Sequence, residues 1–453
     1  MSTATRHQRL RYALRPGVTC LTVPNGAVLL NPPHSRRLTG LSATRLTALK
    51  ILNRGPSTLD ELAGDPAVVE LMGELTADGW LAVTVLDGDH ELYTVTPFST
   101  PPAPPTGSAP SPGALSKFAV LHREAGGFVL EHPLSWCDIH IHDPRVLALL
   151  GGQEPNETTL PDDLVARLAA DLHRGGFTVI ADEDQRFATR SWNTADLWFH
   201  RRSTLGDRVV NWEHFGPTKW AKSRFPQPPA RKPAYPGEPV ALHTPDLAAL
   251  RHGDRSFTAV LEDRVSTRAF DDAHPITAEQ LGELLYRTAR TRETRSPAPG
   301  EELVSRPYPS GGSVYELELY PVVRNIAGLA PGMYHYDSFD HVLRPVADAE
   351  SVAVRKLIKS TSATLTEGAE PQVLIIMAAR SGRVMWTYER VAYAVILKHV
   401  GVLMQTMYLT ATAMGLGACA QGFGDTAAFV AAANVHELEE CSVGSIIIGS
   451  PTR

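Results

Sequence analysis

The chain has 453 residues, 43% of them hydrophobic and 20% charged, with a formal net charge of −6. At roughly 100 to 200 residues per domain this is room for about two to four domains, and the composition excludes a disordered chain, a fibre or a collagen-like repeat. The charge provides no overall field for nucleic acid or an anionic membrane, so neither is expected as a partner. No run approaches the ~18 uninterrupted apolar residues of a membrane span, and MSTATRHQRLRYALRPG lacks the apolar core of a signal peptide, so a cytoplasmic address is expected. Cys20, Cys137, Cys419 and Cys441 are far apart with no C-x-x-C, which argues against disulfides and a zinc knuckle.

In residues 1–96, VTCLTV and AVLLN flank Asn25-Gly26, a hairpin signal. Helices are expected over Thr44 to Leu52 behind Ser42, over Ser57 to Leu62 from the cap-and-acid pattern STLDE, and over Val68 to Leu75. A terminal hairpin around Asp87-Gly88 completes a winged-helix plan. Nine Lys/Arg against nine Asp/Glu in this block leave no footprint for phosphate binding. A peptide-binding module, adding an extended ligand to a strand edge, or a docking domain remains. Residues 97–115 hold seven prolines between Pro97 and Gly113 and read as a semi-rigid linker.

Residues 116–224 repeat the plan less clearly. FAVLHREAGGFVLEH resembles a hairpin, PRVLALLGG and DDLVARLAADLHRGG helices, and FTVIADEDQRFATRSW a wing, giving a second winged-helix-like domain. His140 and His142 would share one strand face, a weak zinc signal that a solvated face explains better. FPQPPARKPAYPGEP, residues 225–239, is the second linker.

Residues 240–453 carry the chemistry and have an α+β pattern. TAEQLGELLYR opens with a threonine cap and a nearby glutamate, VLIIMA and SIIIG are buried-strand runs, and Val391 to Leu416 is a helix apolar almost all round, needing a large core or a subunit interface. In RVSTRAFD an extended chain would present Arg264, Ser266 and Arg268 on one face as an anion clamp suited to a phosphorylated planar cofactor. In RPYPSGGS, Gly311 and Gly312 let a backbone approach a flat ring, and Ser310 and Ser313 supply hydroxyls. No Walker motif and no G-x-G-x-x-G after a strand occurs, and no triad surrounds Cys419, which reads as a small buried thiol.

R-x-S-x-R-x-F-D, the turn Pro309-Ser310-Gly311-Gly312-Ser313 and the segment Gly415 to Phe423 occur in the order of the nitroreductase-like FMN enzymes, which this region resembles. With winged-helix-like segments and ADLWFHRRS ahead of it, the whole chain resembles the SagB/ThcOx-type azoline dehydrogenases of cyanobactin, streptolysin-type and thiopeptide biosynthesis. The resemblance implies a homodimer with FMN at the subunit boundary, an azoline-bearing precursor peptide as substrate, and a cyclodehydratase as partner. It assigns Arg264, Ser266, Arg268, Pro309, Ser310, Gly311, Gly312, Ser313, Gly417, Ala420, Gln421 and Gly422 to the cofactor, and no metal. Some of the family carry a Lys-Tyr pair as the base region. Here Tyr388 matches and Thr387 stands in the lysine's place, so Tyr388 acts with a cation such as Arg390 or Lys398, or the base lies elsewhere. A small-molecule nitroreductase using NAD(P)H and a redox-inactive peptide scaffold are the competing readings.

Overall fold

The computed structural model describes residues 10–103, 111–153, 159–179 and 183–452. The chain divides into two compact units, Met1–His214 and Phe215–Arg453.

In the first unit the strands are β1 (Leu10–Leu14), β2 (Thr19–Val23), β3 (Gly26–Asn31), β4 (His34–Thr39), β5 (Ser57–Thr58), β6 (Leu81–Asp87), β7 (His90–Pro97), β8 (Val120–Glu124), β9 (Gly127–Glu131) and β10 (Cys137–Ile141). The helices include α1 (Ala43–Leu52), α2 (Pro66–Ala77), α3 (Pro144–Leu150), α4 (Asp162–Gly175) and α5 (Thr194–Arg202). Asn25, at φ 66°, turns β2 into β3, and a Cβ on Gly26 would sit 1.9 Å from the Leu38 carbonyl oxygen, so that position admits only glycine. Ser42 caps α1, and Asp65 caps α2 ahead of Pro66. The helix expected over Ser57 to Leu62 is absent. Glu61 folds back onto the Thr58 N–H and hydroxyl, and Ala63 and Gly64 at positive φ close a turn instead.

The two N-terminal blocks read as separate domains share one antiparallel sheet, ordered β5-β1-β6-β7-β10-β9-β8. The joint is β7 against β10, with Pro97 opposite Cys137 and Tyr93 opposite Ile141. Each half keeps its own core, one around Leu49, Leu71 and Leu75 and the other around Tyr93, Ile139 and Leu168. The expected wing after Phe177 is not a hairpin among the described residues. Thr178 bridges Leu115, Phe187–Arg190 is one helical turn, and Ile180 to Asp182 lie outside the described residues. His140 and His142 form no metal cluster among the described residues, and His142 Nε2 lies 2.9 Å from Thr94 Oγ1.

The second unit mixes helices with an antiparallel sheet, as the α+β pattern predicts. Its main strands are β11 (Val240–Ala241), β12 (Leu317–Val323), β13 (Gly332–Asp337), β14 (Val342–Asp348), β15 (Val373–Ala379), β16 (Gly417–Gln421) and β17 (Cys441–Gly449), in the order β11-β14-β13-β12-β15-β17-β16. Its helices include α6 (Phe257–Asp263), α7 (Ala278–Ala289), α8 (Val352–Thr361), α9 (Ser381–Thr387), α10 (Ala392–Ala413) and α11 (Thr426–Ala433). Both sheet faces are covered. Val373, Ile375 and Met377 pack in one core with Leu284 of α7 and Ile396 and Leu403 of α10, while Leu374 and Ile376 pack in the other with Leu357 of α8 and Phe429 of α11. Burial on both faces is why β15 reads as an unbroken apolar run. Thr277 and Gln280 form the reciprocal cap of α7, so the partner is Gln280 rather than the neighbouring glutamate.

Residues 225–239 lie as a strap on this unit. Pro228 O accepts from Arg383 Nη1 at 2.6 Å, Lys232 pairs with Glu440, and Tyr235 Oη donates to Ala433 O at 2.9 Å. Among the described residues α10 is the one helix long and apolar enough to cross a membrane by length and composition. It packs into the core through Ala392, Ile396, Leu403 and Met407, leaving Tyr393, Leu397 and Val402 exposed.

Candidate active site

Two clusters of the expected site residues form, both fastened to α10. In the first, Arg264 ends α6 in an extended conformation, and the strip that follows runs beside β16, with Thr267 N–H donating to Ala418 O at 2.9 Å. Tyr408 of α10 holds both. Its hydroxyl accepts the Ala420 N–H at 2.7 Å and lies 3.1 Å from Ser266 Oγ, and the Arg264 guanidinium stands 5.4 Å from its ring centre. The strip can come this close because position 417 is glycine: a Cβ there would lie 2.8 to 3.0 Å from the Thr267 side chain.

Arg268 is exposed and Arg264 partly so, and among the described residues neither pairs with a carboxylate. Two uncompensated guanidiniums on one strip are a fitting donor set for a phosphate. Gln421 is turned inward, accepting from Thr364 Oγ1 at 2.6 Å and donating to Cys419 O at 3.1 Å, so its side chain serves the fold. Gly422 is exposed with open space at its Cβ position. Burial pushes the Cys419 thiol above its ordinary value, partly offset by the Arg268 charge, as suits an unreactive thiol. A cavity of about 220 Å³ borders Gln421, Gly422, Tyr393, Met404, Ser442 and Ser445.

The second cluster is the turn at Pro309 to Ser313. Pro309 is exposed, Gly312 has φ 63° and Ser313 φ 54°. Ser310 Oγ accepts the Tyr315 N–H at 3.1 Å, closing the turn on itself. Tyr388 follows α9 and lies against this turn. Its hydroxyl is 3.0 Å from where a Gly312 Cβ would be, and its ring edge 3.6 Å from that of Gly311. Thr387 is beside it, with Oγ1 directed at Arg383 O at 3.4 Å within its own helix. The backbone around the pair is pinned by residues 215–218: Thr218 N–H donates to Thr387 O at 3.0 Å and Glu389 N–H to Gly216 O at 2.7 Å. Arg390 and Lys398, the expected cationic neighbours, are both exposed.

Sequence reading missed two members of this cluster. Gly311 N–H points inward to His399 Nε2 of α10 at 2.7 Å, and His399 Nδ1 lies 2.8 Å from Glu316 Oε1. His399 is 6% and Glu316 1% exposed, and Glu316 Oε2 has no partner among the described residues. Below them burial pushes the Tyr308 hydroxyl up, with the Arg306 charge opposing and the Glu316 charge reinforcing. A histidine at the eighth position of the apolar helix α10 is the only local signal, and it reads equally as a core residue.

Residues 261–450 match the profile of the nitroreductase family, and residues 114–208 that of the cyanobactin oxidase ThcOx. A Methanocaldococcus jannaschii protein named for the nitroreductases is 27% identical over 186 residues, covering 41% of this chain and 85% of the relative. A nitroreductase-type structure from Ralstonia eutropha is 23% identical with a TM-score of 0.37, covering 53% of this chain and 99% of that one. The Escherichia coli microcin synthetase McbBCD complex with truncated pro-MccB17 bound is 18% identical with a TM-score of 0.36, over 49% of this chain and 77% of that one. Residues 261–450 are thus an oxidoreductase domain of nitroreductase type. With the ThcOx match ahead of it, the chain carries a ThcOx-type region followed by a nitroreductase-type region.

Proposed function

We propose that this protein oxidises azoline rings of a ribosomal peptide to azoles, using FMN. The observation that carries the reading is Tyr388 packed on the Gly311–Gly312 turn in a chain whose residues 114–208 match ThcOx. Aromatising an azoline removes two electrons and two protons, and FMN when bound supplies the two-electron acceptor.

The chain's own residues then divide the work. Arg264 and Arg268 hold the phosphate by charge-assisted hydrogen bonds, Ser266 and the backbone of Gly417, Ala420 and Gly422 line the cofactor, and Gly312 and Ser313 offer the flat face of the turn. Tyr388, having first lost its hydroxyl proton to solvent, takes the substrate's proton at Oη. Thr387 acts only through its backbone, which residues 215–218 hold in place.

The two clusters meet α10 at Tyr408 and His399, about 13 Å apart along its axis. The exposed apolar side chains Tyr393, Leu397 and Val402 of that helix suit a second copy of the chain. A homodimer would let the strip of one copy face the turn of the other. The first unit is then the place for the precursor peptide or the cyclodehydratase, and the cytoplasm the natural address.

The test is substrate choice by the purified yellow protein. Azole formation on a cyclodehydratase-treated peptide supports the reading. NAD(P)H oxidation with a nitroarene and no action on the peptide would replace it with small-molecule reduction, and a colourless inert protein would leave a scaffold.

A further inference from the structure

We propose that His399 is the positioning residue of the Gly311–Gly312 turn, held as a neutral imidazole with its proton on Nδ1 by the buried carboxylate of Glu316. The inference rests on the function proposed above for what the turn serves, while the bridge itself rests on geometry alone.

An amide can only donate. The 2.7 Å contact from Gly311 N–H therefore requires a lone pair on His399 Nε2, which leaves the ring's one proton on Nδ1. That proton points at Glu316 Oε1, 2.8 Å away, an oxygen placed to accept it. The three groups form one chain of donation, from Gly311 through His399 to Glu316. A proton on Nε2 would set two donors face to face and break it.

The bridge spans the turn from both ends. Gly311 opens the turn and Glu316 leads out of it toward β12, and one side chain of α10 grips both. Tyr388 lies just ahead of α10, and its hydroxyl abuts Gly312. A shift of the turn along α10 would therefore move Gly312 relative to that hydroxyl. The Gly311 amide and the Ser310 hydroxyl are both used internally, so Gly312 and Ser313 are what the turn presents outward. His399 thus decides which backbone faces a planar ligand, without touching it.

Two amide side chains separate this role from simple packing. In His399→Gln the terminal oxygen reaches the place of Nε2 and can still accept from Gly311. In His399→Asn the amide reaches only the place of Nδ1, keeping the Glu316 contact and losing Gly311. Full-length flavin-free protein is titrated with FMN, and the histidine ring nitrogens are recorded by NMR, with the Gln variant assigning His399. The expected result is a neutral Nδ1–H ring in the wild type, near wild-type FMN affinity for the Gln variant, and about tenfold weaker binding for Asn and Ala variants. An Nε2–H or charged ring would overturn the inference, as would an Asn variant that binds like wild type. Should the variants fail to fold, the wild-type ring spectrum decides, with His399 assigned by the contact of its ring with the Gly311 amide proton. A wild-type chain that takes up no FMN sinks the proposed function instead, and the ring spectrum still tells whether the bridge exists.

Discussion

Tyr408 Oη lies 3.1 Å from Ser266 Oγ and accepts the Ala420 N–H at 2.7 Å, so one hydroxyl on α10 ties the arginine strip to the edge strand β16. Tyr408→Phe keeps the ring beneath Arg264 and deletes both bonds. At about 1 kcal/mol per neutral hydrogen bond the fold should survive, while FMN affinity drops about tenfold through the loosened strip. Equilibrium denaturation and flavin fluorescence titration on the same samples check this, and unchanged affinity would detach Tyr408 from the site.

Gly417→Ala should be costly for a reason of space. Its Cβ would fall 2.8 to 3.0 Å from Thr267, whose backbone is paired to Ala418, so strip and strand must part. An overpacking cost of about 1–3 kcal/mol is expected. Gly422→Ala, with nothing within 4 Å of the new methyl, is the control and should leave the melting temperature almost unmoved.

Arg264→Ala with Arg268→Ala removes the two guanidiniums that have no carboxylate partner among the described residues. Charge-assisted bonds are worth roughly 1.5–3 kcal/mol each, so the double variant should purify colourless and fail to take up FMN at micromolar concentration. Full flavin occupancy in the double variant would remove the clamp.

The apolar run of β15 is legible because both faces of that strand are buried, whereas the strip at Arg264 to Arg268 is legible only as a motif, since it belongs to neither a helix nor a strand. Ser57 to Leu62 misleads because a cap-and-acid pattern satisfies a turn as well as a helix, and Ala63 and Gly64 decide between them. The pairing of β7 with β10 crosses a proline-rich stretch, and nothing local encodes that register. His399 and Glu316 are 83 positions apart, and each looks ordinary in its own element, so only the fold reveals the bridge.

Acid stability of the second unit should carry a contribution from Glu318. Burial pushes this carboxyl up, but the His335 hydrogen bond and the charges of His335, Arg306 and Arg380 outweigh it and hold it at about 2. Its folded value lies below the ordinary ~4.3, so the stabilisation is complete above that pH and is lost as the pH falls through about 2. Glu318→Gln should be less stable by on the order of 3 kcal/mol at neutral pH, with the gap closing toward pH 2. Denaturation midpoints against pH for the two proteins measure it, and a gap that does not change with pH would contradict the assignment.

The proposed conversion of azolines into azoles, with Tyr388 taking the proton, predicts a change in peptide mass that depends on one hydroxyl. The direct measurement is the mass of a cyclodehydratase-treated precursor peptide after incubation with the FMN-loaded protein, beside Tyr388→Phe prepared identically. The wild type should remove the mass of two hydrogens per ring, and the variant should stay folded and yellow while the rate falls by about two to four decades. A peptide mass that does not change with the wild type, under conditions where the flavin is bound, would contradict the account.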